Sequence, residues 1–320
     1  FFEHPTISGL AQYFTKEHAD IFASKFAPQT ISDAPVDFRD DKESTMALKK
    51  KRRRFTSVSA PFAPKDEKYA EPVAIIGISG RFPMAENIEE FWNNIAQGKH
   101  CIDKIPEDRW DWRKHYRDPL TEASKINIKW GGFIDGIGDF DPLFFGISPR
   151  EAELMDPQQR LLMLYVWKAI EDAGYSTKSL SGTQTGIFVG TGSSGYSELV
   201  AKANVPIEGY TSTGMVPSVG PNRMSFFLDI HGPSEPIETA CSSSLVAMHR
   251  AVMAIESGNC DMAIAGGVNT IITPDAHISF NKAGMLSKDG KCKTFSDKAD
   301  GYVRGEGVGM LFLKRLGDAR

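Results

Sequence analysis

From Glu71 onward, short apolar runs alternate with segments in which apolar residues recur every three or four positions. Val73–Ile78 is a continuous apolar run, which is typical of a strand covered on both faces. Comparable runs predict four more strands, at Ile187–Val189, Pro236–Ala240, Asp261–Val268 and Val308–Leu316. Strands that alternate with helices predict a layered α/β domain, with helices on the faces of one sheet.

Three helical segments lie between these strands, at Asn87–Gln97, 157–173 and Leu245–Ile255. The second has clear start and stop signals. Asp156 is a suitable N-cap, Pro157 suits the first helical position, and Gln159 is placed to complete a capping box. Gly174 is the expected terminator. The long central helix is therefore predicted with defined ends.

The first 70 residues follow a different pattern. Within 1–18, the residues Ile7, Leu10, Ala11 and Phe14 recur at helical spacing. A helix of about 12 residues with one apolar face is not stable alone, so we expect it to pack on a segment upstream of this chain. Residues 19–70 hold scattered prolines and charges and predict a flexible linker. The sequence thus predicts an orphan helix, a linker and a globular part over 71–320.

Charge and hydropathy limit the classes of partner. The formal net charge of −4 gives no general case for nucleic acid or an anionic membrane surface. The six basic residues of Lys49–Arg54 lie in the predicted linker, where such runs are usually solvated, and no base-stacking motif accompanies them. No apolar run reaches the roughly 20 residues that span a bilayer. We therefore expect neither a nucleic-acid nor a membrane partner.

Thr239–Ser244 places a cysteine between a predicted strand and a predicted helix. Such a corner leaves the side chain accessible and points unpaired helical N–H groups towards it. The helix dipole then favours thiolate over thiol. The neighbouring residues are all small, as a tight corner beside an acyl chain requires. We interpret Cys241 as a nucleophile that carries an acyl group as a thioester.

The other three cysteines fit an ordinary structural role, since free cysteines are usually small buried hydrophobes. Cys101 and Cys260 border apolar segments, and Cys292 lies in a lysine-flanked turn. The sequence has no CxxC pair and no Cys/His spacing typical of zinc, so no metal site is predicted. Scattered cysteines without a signal peptide favour a reducing, cytoplasmic location.

A thiol nucleophile commonly has a histidine partner. His249 falls two turns after Cys241 on the predicted helix, about 12 Å along its axis, and is too far away to touch it. His231 and His277 lie in turn-like contexts, and His100 and His115 are further off along the chain. None is placed as a partner base, so we expect any catalytic histidines to lie outside this chain.

Two glycine-rich stretches offer alternatives. Gly190–Gly195 matches GxGxxG after a predicted strand and suggests a dinucleotide-binding oxidoreductase. That fingerprint also needs a second strand ending in an acidic residue about 20 positions on, and Val205–Gly209 provides the acid without a convincing strand. Gly301–Gly309 lacks the Lys-Ser/Thr of a Walker loop, so we interpret it as a place of close backbone approach.

Six segments, taken in their order along the chain, resemble the β-ketoacyl synthase domains of bacterial modular polyketide synthases. They are Val73–Phe82, Phe140–Ala152, Asp156–Leu161, Gly232–Ala247, Asn281–Gly290 and Asp300–Gly307. Phe2–Leu10 resembles the last helix of an acyl carrier protein, which would explain the orphan helix of 1–18. Glu235–Glu238 and Met248–Val252 resemble the variants whose carriers are loaded by a separate, trans-acting acyltransferase.

The resemblance implies a thiolase-like fold, a layered αβαβα sandwich that works as a homodimer. It also implies that Cys241 takes an acyl chain from the phosphopantetheine arm of a carrier protein, with no cofactor bound by the ketosynthase itself. A malonyl-type extender would lose CO₂ and attack the thioester, in a decarboxylative Claisen condensation. The Cys241 backbone N–H would contribute to the oxyanion hole.

One departure from the family pattern affects the predicted activity. Family members carry two catalytic histidines, in a His-Gly-Thr-Gly-Thr stretch and a later Asn-x-Gly-His stretch, and neither occurs in this sequence. We therefore expect 71–320 to be the N-terminal part of a ketosynthase, unable to condense as it stands. Two functions of the parent protein remain open: chain elongation, and a non-elongating domain that only binds or transfers acyl groups.

Overall fold

The computed structural model describes residues 12, 13, 15–17 and 71–320. The chain divides into two units, 1–63 and 64–320. In the first unit the described residues are helical, in agreement with the predicted helix at those positions. The rest of that predicted helix, the linker of 19–70 and the basic run Lys49–Arg54 lie outside the described residues.

The second unit alternates strands and helices along its length. Its strands are β1 (Val73–Arg81), β2 (Asp103–Lys104), β3 (Trp130–Gly131), β4 (Thr185–Gly190), β5 (Ser234–Ile237), β6 (Met262–Asn269) and β7 (Gly307–Arg315). Its α-helices are α1 (Ile88–Ala96), α2 (Pro149–Glu153), α3 (Pro157–Asp172), α4 (Thr177–Leu180), α5 (Tyr196–Lys202), α6 (Thr211–Met215), α7 (Val219–Leu228), α8 (Ser243–Glu256), α9 (Asp275–Lys282) and α10 (Leu316–Ala319). Short 3₁₀ turns occur at Trp112–Lys114 and Ala240–Ser242.

Five of the strands form one mixed sheet in the order β1-β7-β6-β4-β5. β4 is parallel to both of its neighbours, β5 and β6, whereas β7 is antiparallel to β6 and to β1. The carboxyl ends of β4, β5 and β6 therefore meet at one edge of the sheet. Chain segments that leave this edge are brought together, and Cys241 lies on one of them.

The sheet is covered on both faces, and the alternation along β4 shows how. Ile187 and Val189 point into a core that includes residues of α3, such as Leu161 and Val166. The intervening Phe188 belongs to a second core with alanines of α8, among them Ala247. Successive side chains of a strand point to opposite faces, so one strand contributes to both cores. Helices α3 and α8 thus lie on opposite faces of the sheet, and the predicted layered architecture is confirmed.

Most element boundaries agree with the sequence prediction to within a few residues, but β1 and β5 differ in an informative way. β1 is an edge strand, and Ile75 and Ile78 are exposed, so the predicted coverage of both faces is wrong here. β5 ends at Ile237, three residues before the predicted end at Ala240. The chain turns there because Ala240 adopts a left-handed conformation with φ of 55°, which no strand accommodates.

The start of α3 shows a second correction. Asp156 caps the helix as predicted, accepting a hydrogen bond from the Gln158 N–H at 2.8 Å. Gln159 does not complete a capping box with it. Its amide nitrogen instead donates to the backbone carbonyls of Gly214 and Val216, each at 3.0 Å. These two hydrogen bonds connect the start of α3 to the last turn of α6 and to Val216, the residue that follows this helix.

Candidate functional site around Cys241

Cys241 lies in the 3₁₀ turn between β5 and α8 and directly precedes Ser242, the N-cap residue of that helix. Its side chain is exposed. The preceding Ala240 holds the left-handed conformation, which is uncommon for a residue with a Cβ and occurs often at functional sites. The strand-to-helix corner inferred from the sequence is therefore present, and it presents the thiol to solvent beside the start of a 14-residue helix.

Hydroxyl groups of the neighbouring residues hold this corner in place. Ser243 Oγ accepts a hydrogen bond from the Thr239 N–H at 2.9 Å and donates to the Ala240 carbonyl at 2.7 Å. Ser242 Oγ donates to the Thr239 carbonyl at 2.9 Å. These bonds close a turn that would otherwise leave backbone groups unpaired. The serines that follow Cys241 therefore fix the backbone on both sides of this residue.

Two glycines let the start of α8 approach the sheet. A Cβ added at Gly190, the last residue of β4, would lie 2.8 Å from backbone atoms of Ser243 and Ser244. A Cβ at Gly267 in β6 would lie 2.9 Å from the Ser244 Cβ. Only glycine allows this distance without displacing the helix. Gly190 belongs to the stretch that matches GxGxxG. In the structure it leaves room for the start of α8, the helix that follows Cys241.

The segment after Gly190 does not complete a dinucleotide site. Helix α5 does open after Gly195, which has a left-handed φ of 86°. The next strand of the described chain is β5, about 40 residues later, and Val205–Gly209 forms no strand. The acidic residue that would bind a ribose therefore has no strand to place it.

Tyr302 is a site residue that the sequence analysis did not single out. It lies in the glycine-rich stretch and is close enough to Cys241 for the two groups to interact electrostatically. Burial raises the pKa of Tyr302, the Arg304 charge opposes this, and the Cys241 charge adds to it. The only sequence signal was the density of glycines around it. Gly301, with φ of 134°, passes so close to the Met285 carbonyl that a Cβ would lie 2.6 Å from it.

Glu306, near the end of the glycine-rich stretch Gly301–Gly309, forms a buried ion pair with Arg109. The Glu306 carboxylate accepts hydrogen bonds from Arg109 and also from the backbone N–H groups of Ile134 and Ile271, at 3.1 Å and 2.9 Å. Ile271 follows β6, so this carboxylate joins three distant segments near the carboxyl edge of the sheet. Within the glycine-rich stretch, the predicted close backbone approach occurs at Gly301, whereas a Cβ at Gly307 or Gly309 would lie no nearer than 3.5 Å to any atom.

Among the described residues, no hydrogen bond joins a histidine to Cys241, and two of the histidines have other partners. His277 is fully buried in α9, with Nε2 3.3 Å from the Trp130 carbonyl oxygen and Nδ1 3.4 Å from Arg304 Nη1. Burial first, and then the Arg304 charge, lowers the pKa of His277 to about 4, so the ring is neutral near pH 7. His249 is exposed on α8, and His231 lies 3.5 Å from Asp229 Oδ1. A structural role for His277 agrees with the sequence interpretation, but the predicted turn-like context is wrong, because His277 lies inside helix α9.

The remaining cysteines differ from Cys241 in their surroundings. Cys260 is buried, and burial raises the pKa of its thiol to about 11. Cys101 is half-buried, and the exposed Cys292 accepts a hydrogen bond from the Val303 N–H at 3.2 Å. Within residues 71–320 and the few described before them, no group of three or more His, Cys, Asp or Glu side chains could hold a metal ion. No helix of this described part is long and apolar enough to cross a membrane.

A cavity of about 260 Å³ opens at the carboxyl edge of the sheet. Its wall includes Thr191 and Glu238, which follow the paired strand ends Gly190 and Ile237. The cavity therefore lies at the same edge of the sheet as Cys241.

The mixed sheet of order β1-β7-β6-β4-β5, covered by α3 on one face and by α8 on the other, defines the class as a thiolase-like α/β domain. The comparisons agree: residues 70–319 match the family described as "Beta-ketoacyl synthase, N-terminal domain". The chain belongs to this family, as a ketosynthase domain of a bacterial polyketide synthase.

Two curated relatives come from Bacillus subtilis (strain 168). Polyketide synthase PksN is 59% identical over 99% of this chain, and polyketide synthase PksR is 42% identical over 99% of it. The chain spans only 6% and 11% of the length of these two proteins. Activities of the whole synthases therefore do not transfer directly to it.

Two solved ketosynthases share the fold. The domain from module 6 of the bacillaene synthase of Bacillus subtilis 168 has a TM-score of 0.69 at 42% identity, covering 77% of this chain and 40% of that one. The oxazolomycin ketosynthase domain OzmH KS7 has a TM-score of 0.71 at 39% identity, covering 78% of this chain and 43% of that one. The thiolase-like fold expected from the sequence is thus confirmed for the described part.

Proposed function

We propose that Cys241 accepts an acyl chain as a thioester, and that the ketosynthase to which this chain contributes extends it by decarboxylative condensation. The observation that carries the proposal is the exposed Cys241 thiol at the start of α8, on a corner fixed by Ser242 and Ser243. An N-terminal helix end stabilises negative charge on a nearby nucleophile and on a developing oxyanion.

The first step is a thioester exchange. The Cys241 thiolate attacks the carbonyl carbon of an acyl thioester on the phosphopantetheine arm of an acyl carrier protein. The tetrahedral oxyanion would be stabilised by the Cys241 backbone N–H, and it collapses with release of the carrier thiolate, which takes up a proton. The chain is then held as a thioester on Cys241.

The second step forms the carbon–carbon bond. A malonyl-type extender on a carrier protein loses CO₂, and the electron pair of the broken bond becomes an enolate. The enolate carbon attacks the acyl carbon on Cys241, and the Cys241 thiolate leaves. The product is a β-ketoacyl thioester on the carrier, and the enzyme itself binds no cofactor. As in the sequence analysis, a separate acyltransferase would load the carrier, and the enzyme would work in the cytoplasm.

A second copy of the chain is the partner we propose for the free edge of β5. Within the described sheet β5 pairs with β4 alone, so its other edge has backbone groups available for a strand from another copy. Pro236 lies in this strand, and proline is tolerated in sheets mainly at edges. Light scattering of the intact ketosynthase should give the mass of a dimer, and a monomer at micromolar concentration would contradict this.

The function is tested with the intact synthase module that carries this chain. Incubation with an acyl thioester should add the acyl mass to the peptide containing Cys241, and Cys241→Ala should abolish the adduct. Labelling that survives this substitution would refute the assignment. Addition of a malonyl-loaded carrier should then yield a β-ketoacyl carrier. Acylation without that product would identify the non-elongating alternative instead.

A further inference from the structure

Lys129 lies among three aromatic side chains. Its ammonium nitrogen is 5.1 Å from the ring centroid of Trp130, 5.4 Å from that of Trp112 and 5.8 Å from that of Tyr116. The face of an aromatic ring attracts a cation within about 6 Å of the centroid, so these contacts hold the ammonium group in place. Lys129 is half-buried and forms no ion pair with a carboxylate in the part of the chain that the structure describes. The aromatic cluster therefore holds a positive charge that has no counter-ion.

A second lysine lies beside this cluster. Lys104 in β2 pairs directly with Trp130 in β3, so the two side chains lie on the same face of this small sheet. Lys104 is exposed, and none of the described carboxylates forms an ion pair with it. Positions 99–129 contain eight Lys and Arg against six Asp and Glu, although the net charge of the chain is −4. The surface around Lys129 is therefore basic on an acidic protein, and it favours an anionic ligand.

The distance from this cluster to Cys241 suits one phosphopantetheine arm. Gly132, three residues after Lys129, donates its N–H to the Arg304 carbonyl at 2.9 Å. Tyr302, two residues before Arg304, is close to Cys241. Three residues span at most about 11 Å and two at most about 7 Å, so the path from Lys129 to Tyr302 is at most about 20 Å long. The arm has about 14 bonded atoms from phosphorus to sulfur, nearly as many as five extended residues, and reaches about 17 Å. The two lengths are comparable.

We propose that Lys129 and Lys104 bind the phosphate of the phosphopantetheine arm while its acyl thioester reaches Cys241. The inference rests on the proposed function, because it needs a thioester that a carrier delivers to Cys241. The phosphate is an anion near pH 7, and the two lysines supply the complementary charge. The rings of Trp112 and Trp130 exclude water from part of the Lys129 ammonium group, which strengthens its attraction for the phosphate. Nucleic acid has the same phosphodiester chemistry, but the net charge of −4 opposes a polyanion, so a carrier with a single phosphate is the better ligand.

Two thioesters that differ only in the phosphate test the proposal on the intact synthase module. Butanoyl-phosphopantetheine and butanoyl-pantetheine are supplied separately at limiting concentration, and the rate of adduct formation at Cys241 is followed by mass spectrometry. We expect the phosphorylated thioester to acylate Cys241 about three- to tenfold faster. This preference should weaken as the salt concentration rises from about 0.05 M to about 0.5 M, because salt screens exposed charges.

Variants that remove or keep the charge locate the phosphate. In Lys104→Gln with Lys129→Gln, the preference for the phosphorylated thioester should disappear. Lys129→Arg keeps a positive charge among the rings and should keep most of the preference. Lys104→Gln alone leaves the ring contacts of Lys129 intact and should still lower the preference, so the test does not depend on the folding of the double variant. Lys178→Gln, on the exposed side of α4, is the control and should keep the wild-type preference.

The outcomes distinguish this inference from the proposed function. Equal acylation by both thioesters in the wild-type protein would overturn the phosphate site and leave the acyl-accepting role of Cys241 supported. A preference that persists in the double variant would place the phosphate elsewhere and overturn the inference as well. Binding of a single-stranded oligonucleotide that the double variant loses, without any preference between the thioesters, would assign this surface to nucleic acid instead. Absence of an adduct with both thioesters would overturn the proposed function and the inference together.

Discussion

Arg109 and Glu306 form a two-pronged ion pair inside the fold, with both Nε and Nη2 of the arginine 2.9 Å from the carboxylate oxygens. The exposed fractions of the two side chains are 3% and 0%. The residues are 197 positions apart in the chain. Because the carboxylate also accepts two backbone N–H groups, its removal would leave these donors and the Arg109 Nε unpaired in the interior, and the guanidinium would keep only Asp108 and the Ile134 carbonyl as partners.

Loss of this carboxylate should therefore be costly. We expect Glu306→Ala to lower the free energy of unfolding by about 3–5 kcal/mol, the usual effect of breaking a buried ion pair by removing one partner. Chemical denaturation of the purified protein measures it. Glu107→Ala is the control: Glu107 pairs with Arg113 on the surface, at 79% and 60% exposure, and its loss should cost below about 1 kcal/mol. Equal effects of the two substitutions would contradict the prediction.

Gly190→Ala should slow the acylation of Cys241 indirectly, by displacing the start of α8. The added Cβ would lie 2.8 Å from the backbone at Ser243 and Ser244, so the start of α8 must shift. A displacement near 1 Å at a reacting group can lower its rate about 100-fold. We expect acylation of Cys241 to fall by roughly 10- to 100-fold. Gly209→Ala, where an added Cβ would meet no atom within 4 Å, is the control and should acylate normally.

Thiol alkylation should separate the cysteines by exposure and pH. With iodoacetamide at pH 8, Cys241 and Cys292 should be modified while Cys260 is protected. Burial raises the pKa of Cys260 to about 11, so its thiol stays neutral until the pH approaches that value. Since the folded state holds this proton more tightly than the unfolded state, stability should fall as the pH rises from about 9 to 11. Peptide mass spectrometry after timed alkylation gives the order of reaction. Rapid modification of Cys260 at pH 8 would show that its site is open.

His277 should make stability depend on pH in the acid range. Its pKa falls from 6.5 to about 4 in the folded state, through burial and the Arg304 charge. The unfolded chain thus binds the proton more readily between these values, and folding stability should decrease as the pH drops from 6.5 to 4. The loss could reach about 3 kcal/mol. Unfolding free energies at pH 7.5 and 4.5 test this, and His277→Gln should have a smaller difference between them. An unchanged difference would exclude His277 as the source.

Local signals in the sequence located most of the sheet and the corner at which Cys241 lies. The apolar runs indicated the five strands, and the Asp156 and Pro157 pair indicated the start of α3. The small residues around Cys241 indicated a corner. The dihedral angles and hydrogen bonds at Ala240 and Ser243 confirm that corner. These features follow from interactions between residues close in sequence, which periodicity and turn chemistry reflect.

Relations between distant segments came only from the tertiary structure. Periodicity placed β1 between two covering layers, whereas in the fold Ile75 and Ile78 of this strand are exposed. Nothing local shows that Tyr302 approaches Cys241, or that Arg109 pairs with Glu306. The GxGxxG match also does not show that Gly190 leaves room for the start of α8. The sequence by itself determined most of the strands and helices and the corner that holds Cys241, because these depend on neighbouring residues. The tertiary structure decided the surroundings of the thiol, because they depend on which strand ends the sheet brings to the same edge.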